Sequence, residues 1–140
     1  MKTIYLFLIS FFLVGLADAQ ETYNYSKVDF NETNETAVIN AVEDAPDNLG
    51  ANFEASKHYY NQGVGIIETL DCEAAFDALY AKQEEVEAMF TKALPYAKKV
   101  HSLDAKNAKV IKMLEGIYFG LNDLEMSRYY GSLLAELDAE

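Results

Sequence analysis

Cysteine and basic residues are both scarce in this chain of 140 residues, and each shortage excludes something. Cys72 is the only cysteine, so no internal disulfide can form and the fold must depend on its hydrophobic core. The 11 lysine and arginine residues are outnumbered by 23 acidic ones, which gives a net charge of −12 at pH 7. A surface this acidic repels a phosphate backbone, which argues against nucleic acid as a partner.

The usual motifs of catalysis and metal binding are also missing. His58 and His101 are isolated, and neither His-x-x-x-His nor Cys-x-x-Cys occurs. There is no Gly-rich phosphate loop and no serine nucleophile elbow. Residues 44–50 resemble a calcium loop, but Gly50 falls one position late and the final Glu is missing. We therefore expect a non-enzymatic protein without metal or cofactor; an enzyme would need a polar pocket that holds one of the histidines beside a carboxylate.

The single long hydrophobic run lies at the N-terminus. Lys2 precedes a stretch from Ile4 to Leu16 that is apolar apart from Ser10, and residues 17–19 read Ala-Asp-Ala, an A-x-A cleavage pattern. The stretch is shorter than the roughly 20 residues that span a bilayer. Residues 1–19 are therefore predicted to be a signal peptide rather than a membrane anchor. No second hydrophobic run predicts a membrane span, and no cysteine stands directly after the cleavage site to carry a lipid.

After residue 19 the sequence divides into an irregular segment at 20–33 and a helical domain at 34–140. Apolar residues recur at helical spacing in five stretches. They predict a first helix that follows Thr33 and is ended by Pro46, and further helices at about 49–67, 74–103, 108–121 and 124–137. Thr33 is a candidate cap for the first. Gly63 and Gly65 should weaken the end of the second. In the long third helix the apolar positions keep their phase across Pro95, so we expect a kink and not a break.

Helix ends recur 34 residues apart: Val100, Leu103 and Asp104 are repeated as Leu134, Leu137 and Asp138. A similar end at 41–48 precedes the aromatic pair at 59–60, as the end at 100–107 precedes the pair at 118–119. A period of 34 is the length of one helix-turn-helix unit in a solenoid. The pattern predicts an all-α solenoid of about five helices, one of them extended.

The order and spacing of these residues resemble tetratricopeptide repeats, most closely between residues 108 and 139. The matching residues are Ile111, Leu114, Tyr118, the turn Asn122-Asp123, Ser127, Leu134 and Leu137. Ala93 and Ser127 stand where the family places small residues at the contact between helices. The segments at 52–64 and 93–100 further resemble exported tetratricopeptide proteins of Bacteroidota. The middle unit departs from the pattern by about 25 extra residues after Tyr59, and the first unit keeps only its second helix.

The resemblance implies a scaffolding module of the bacterial periplasm or cell envelope, which binds a protein or peptide in a groove lined by the first helices of its repeats. The residues implied at this groove are Phe53, Lys57, Tyr60, Asn61, Lys109, Lys112, Gly116 and Phe119. Six of the 11 basic residues lie between positions 92 and 112. This clustering favours an acidic peptide or a C-terminal carboxylate as ligand. Met113 and Glu115 interrupt the family's carboxylate-clamp pattern.

Two other interpretations stay open at this stage. The chain could instead be a homo-oligomeric part of an envelope complex that packs through helix 74–103, with Met89 or Phe90 at the contact. A eukaryotic secreted protein would carry glycan at one of its three acceptor patterns, which begin at Asn24, Asn31 and Asn34. Because the first helix lacks a partner, its face of Val38, Ile39 and Val42 needs a cover. We expect that cover to be Tyr23, Tyr25 and Phe30, or a second chain.

Overall fold

Five α-helices make up most of the part of the chain that the structure describes. A computed structural model describes residues 23–29, 33–70 and 74–139. The helices are α1 (Glu35–Asp44), α2 (Leu49–Glu68), α3 (Phe76–Leu103), α4 (Ala108–Gly120) and α5 (Leu124–Asp138). These ranges contain no strand, so the predicted all-α fold is confirmed. The predicted signal peptide, Phe30, Asn31 and Cys72 lie outside the described residues.

Side-chain caps explain where four of the helices begin. Each capping oxygen accepts hydrogen bonds from backbone N–H groups of the first turn. The capping residues are Asn34, Asn48, Asn107 and Asp123, at the starts of α1, α2, α4 and α5. The prediction that Thr33 caps α1 is wrong, because Asn34 caps it. The Thr33 hydroxyl lies 2.9 Å from Nδ1 of His58 instead.

The long third helix runs without interruption through Pro95, as its apolar phase predicted. Pro95 lies on the exposed side of α3, and the alanines on the opposite side, Ala93 and Ala97, are fully buried. Helix α2 likewise continues past Gly63 and Gly65 and ends at Glu68. Two glycines weaken a helix locally, but packing against α3 stabilises this one.

Successive helices pack against one another in chain order. Helix α2 contacts α3 most extensively, α4 pairs with α5, α3 also contacts α4, and α1 packs on α2. The connections at 45–48, 104–107 and 121–123 are too short for anything but antiparallel neighbours. This arrangement places α2 and α4 side by side, and the two helices share one face of the molecule.

The ring of Phe90 lies at the centre of the core, where it joins α2, α3 and α4. It is fully buried, and it stacks on Tyr60 with ring centres 5.7 Å apart. A Cβ atom at Gly63 would lie 2.5 Å from this ring, and one at Gly120 would lie 2.3 Å from it. Both helices therefore need glycine at the contact. The expectation that Phe90 contacts a second chain is wrong, because its own fold encloses it; Met89 is partly buried against the same core.

Helix α1 is covered by its own neighbours and not by the N-terminal tyrosines. Val38 is 7% exposed, because α1 packs on α2. The Tyr59 hydroxyl donates a 2.8 Å hydrogen bond to Glu35 at the start of α1. Lys99 of α3 adds an ion pair of 2.5 Å to Asp47 in the turn after α1. The prediction that Tyr23 and Tyr25 lie over this helix is wrong, since both tyrosines lie between α2 and α4.

Candidate functional site in the groove between α2 and α4

The eight residues expected at the groove lie on α2 or α4, and a short N-terminal segment contacts most of them. This segment, residues 23–29, has no helix or strand and lies in the groove between the two helices. We call it the groove segment. It contacts Asn61, Lys109, Lys112, Gly116 and Phe119, the last through the Tyr23 ring with ring centres 5.3 Å apart, and Tyr60 lies beneath it.

Phe53 and Lys57 lie nearer the start of α2, and the groove segment makes no hydrogen bond or ion pair with either among the described residues. The Lys57 ammonium lies 5.8 Å from the centre of the Phe53 ring and 2.8 Å from the Glu54 carboxylate. The Lys57 side chain is only 3% exposed. This part of the predicted site therefore holds a nearly buried cation beside an aromatic ring.

Tyr23 binds the α4 side of the groove through its ring and its hydroxyl. The hydroxyl donates to the Lys112 carbonyl and to the Glu115 carboxylate, each at 3.2 Å. The Lys112 ammonium lies 4.7 Å from the ring centre, within cation–π range. Burial, with smaller effects of Tyr60 and Glu115, raises the pKa of Tyr23 above its ordinary value, so the hydroxyl stays a donor.

Tyr25 lies in the groove between Phe90 and α4. Its hydroxyl donates to the Gly116 carbonyl at 3.0 Å, and its ring stacks on Phe90 with ring centres 5.7 Å apart. A Cβ atom at Gly120 would lie 3.0 Å from this hydroxyl, and one at Gly116 would lie 3.1 Å from the Tyr23 ring. The two glycines, four positions apart on α4, thus form a floor that admits aromatic rings. Burial and the nearby Tyr60 raise the pKa of Tyr25 well above its ordinary value.

Asn61 binds the main chain of the groove segment rather than a side chain. Its Oδ1 accepts a hydrogen bond of 2.8 Å from the Val28 N–H, and its Nδ2 donates one of 2.8 Å to the Val28 carbonyl. Asn61 is itself buried, with 8% of its surface exposed. Any residue except proline at position 28 offers the same two backbone groups, so this contact recognises a peptide chain largely irrespective of its side chains.

Charged residues hold the end of the groove segment. Asp29 forms an ion pair with Lys109, and this bond, with a smaller effect of Lys57, holds the pKa of the Asp29 carboxyl below its ordinary value. Asp29 adopts a φ of 38°, a left-handed conformation uncommon outside glycine. Earlier in the segment, Lys27 forms a 2.8 Å ion pair with Glu68. The chain therefore follows α4, crosses to the end of α2 and turns back.

The two histidines take no part in this groove. His58 contacts the Thr33 hydroxyl and the Gln62 amide through its two ring nitrogens, at 2.9 and 2.6 Å. The ring of His101 lies against Tyr130, with centres 5.4 Å apart. In the described ranges no three His, Cys, Asp or Glu side chains lie together as a metal site would require. The groove offers groups that recognise hydroxyls, a main chain and a carboxylate.

Sequence reasoning missed three features of the site. The first is the groove segment, whose tyrosines were expected over α1. The second is Glu115, which was noted only as a departure from a family pattern; its carboxylate accepts a hydrogen bond from Tyr23 and forms a 2.8 Å ion pair with Lys112. Gly120 was not singled out at all. Its spacing of four residues from Gly116 on an apolar helix is the signal that could have indicated a close contact.

Comparisons of this chain with protein-family models, with curated proteins and with solved structures found no match. None of the helices that the structure describes is both long enough and apolar enough to cross a membrane. The geometry of the groove is therefore the basis for inferring what the protein does.

Proposed function

We propose that this chain is a non-enzymatic protein-interaction module, built from tetratricopeptide-like repeats, that binds a peptide segment between α2 and α4. The observation that carries the proposal is the paired hydrogen bonding of Asn61 to the Val28 backbone, both bonds at 2.8 Å. A buried amide that pairs with a main chain suits recognition of irregular peptide segments. The predicted signal peptide supports action outside the cytoplasm, in a bacterial periplasm or envelope.

The charges of the groove favour a ligand with acidic residues. Lys109 and Lys112 line it, and Lys57 lies nearly buried close by, in a chain whose net charge is −12. The side chains of Lys109 and Lys112 are 58% and 41% exposed, so an incoming carboxylate can reach them. A local positive field in an acidic molecule attracts anionic segments and repels basic ones.

Site-specific photo-crosslinking in the source organism tests the proposal. A photoreactive phenylalanine analogue would replace Lys112 in the groove, or Lys98 on the exposed side of α3 as a matched control. We expect the probe at 112, and not the one at 98, to crosslink a second protein through a defined peptide. Equal crosslinking from both positions, or none from 112, would show that the groove is not the binding face.

A second candidate function is self-association through the first turns of α3. Phe76 and Tyr80 are 61% and 51% exposed there, whereas Phe90 is enclosed and cannot serve. Sedimentation of F76E/Y80E beside the parent chain tests this alternative. A dimer that dissociates only in the variant would support it, and a parent chain that stays monomeric at high concentration would rule it out.

A further inference from the structure

We propose that the groove segment is an exchangeable occupant, and that a partner segment with two tyrosines in alternate positions, followed four residues later by a carboxylate, replaces it. This inference rests on the proposed function, because it names the ligand chemistry and the regulation of the same groove. In this chain the pattern is Tyr23, Tyr25 and Asp29.

The way the groove segment is held favours exchange. In the described part of the chain no backbone–backbone hydrogen bond joins residues 23–29 to a helix. Every described hydrogen bond or ion pair between the segment and the helices has a side chain on at least one of its two ends. Ordering seven residues without regular structure costs conformational entropy, which offsets much of what these contacts contribute. The buried core consists of helix residues alone, and Tyr25 and Val28 of the segment pack against its side, so the segment can leave while the helices stay packed together.

The ligand chemistry follows from what each part of the groove contacts. The first tyrosine position offers the Glu115 carboxylate and the Lys112 carbonyl to a hydroxyl. The second offers the Gly116 carbonyl above a floor that only glycine leaves open. Phenylalanine would fit these spaces but would lose the hydrogen bonds that the two hydroxyls donate, so tyrosine is favoured. A carboxylate at the last position meets Lys109.

A partner protein is a better source for the replacement than a second copy of this chain. The segment of a second copy would make the same contacts, and the attached segment has the advantage of an effective concentration on the order of millimolar. Two copies with a net charge of −12 each also repel one another. A foreign segment that continues past the carboxylate can also contact the Phe53 ring, which is partly exposed and lies beside Lys57, close to Asp29.

Binding of a labelled peptide with the sequence of residues 22–30 tests the exchange. The released variant Y23S/Y25S loses both tyrosines of the groove segment and leaves every groove residue unchanged. We expect it to bind the peptide at least about tenfold more tightly than the parent chain, because the attached competitor is weakened. The matched control N24S/S26A changes two exposed residues of the same segment and should bind like the parent. Adding Asn61→Leu to the released variant should abolish binding.

The outcomes separate this inference from the proposed function. Equal affinity of the parent and the released variant would show that the groove segment does not compete, and the groove would stand as a binding site. A folded released variant that binds no peptide would overturn both. A released variant that binds the peptide while its parent forms exchanged dimers would assign the groove to a second copy instead.

If circular dichroism shows that Y23S/Y25S does not fold, a milder variant tests the same proposal. Asp29 is exposed, so Asp29→Lys removes its ion pair with Lys109 without disturbing the core. We expect peptide affinity to rise about two- to fivefold, the range that an exposed ion pair supports. Unchanged affinity in this variant would contradict exchange.

Discussion

The side-chain amide of Asn61 satisfies both hydrogen-bonding groups of the Val28 backbone, through two bonds of 2.8 Å. The two residues are 33 positions apart, and this pairing joins α2 to a segment that makes no backbone–backbone hydrogen bond to any described helix. An amide is suited to this task because it offers a donor and an acceptor side by side.

Replacing Asn61 with leucine should destabilise the protein by roughly 1–3 kcal/mol, because the Val28 N–H and carbonyl lose their partners in a partly buried place. Urea unfolding measures the loss, and hydrogen exchange of the Val28 amide locates it. Asn61→Asp keeps the acceptor for the Val28 N–H and should protect that amide better than leucine does. Equal exchange rates in the two variants would contradict this account.

Two glycines of α2, two positions apart, should respond to alanine with opposite signs. A Cβ atom at Gly63 would lie 2.5 Å from Phe90, whose ring cannot retreat because Gly120 lies on its other side. Gly63→Ala should therefore cost about 1–3 kcal/mol through overpacking. At Gly65 the nearest atom, Cε of Lys27, is 3.7 Å away, so alanine should stabilise the helix by up to about 1 kcal/mol. Thermal unfolding should therefore show a lower midpoint for Gly63→Ala and a higher one for Gly65→Ala, and shifts of the same sign would contradict this account.

Stability should fall between pH 10 and 12, and part of the fall belongs to Tyr59. Burial and the hydrogen bond to Glu35 raise the pKa of Tyr59 from 10.0 to about 12. The folded state therefore holds this proton more tightly than the unfolded state, so its contribution is complete below pH 10 and is lost as the pH approaches 12. Tyr59→Phe has no hydroxyl to ionise and should show a smaller decline in urea unfolding across this range. An unchanged pH profile would contradict the assignment.

Ser127 should tolerate alanine and reject leucine. It is 5% exposed on α5, and its hydroxyl donates a 3.0 Å hydrogen bond to the Glu115 carbonyl on α4. Alanine loses only this bond, about 1 kcal/mol, whereas leucine must push the two helices apart at a cost of roughly 1–3 kcal/mol or more. Denaturant unfolding of the pair measures the difference. Similar losses in both variants would show that close approach is not what position 127 requires.

The helices could be predicted to within two residues at each end because their signals are local. Apolar spacing marks the buried side of each helix, and Asn48 and Asn107 cap α2 and α4 with side chains that bond the following turn. Ser127 was likewise recognised as a small residue between helices, and it is buried there. These features depend on neighbours only a few positions away along the chain or on a repeated spacing.

The contents of the groove could not be predicted in the same way. The resemblance to tetratricopeptide repeats implied that Tyr60, Asn61 and Gly116 line one groove, and the structure places all three beside residues 23–29. Tyr23 and Tyr25, however, bond to α4 across 89 and 91 positions, and no periodic pattern links them to it. Their expected place over α1 was wrong because Val38 was already covered by α2.

The sequence by itself determined an all-α chain, the ends of its helices and the side that each helix buries, because these follow from local periodicity and capping chemistry. Only the tertiary structure decided that α2 and α4 form a groove and that residues 23–29 fill it. That outcome depends on space, since Gly116 and Gly120 leave room for two tyrosine rings. It depends equally on unsatisfied polar groups, since the buried amide of Asn61 needs partners that the Val28 backbone supplies.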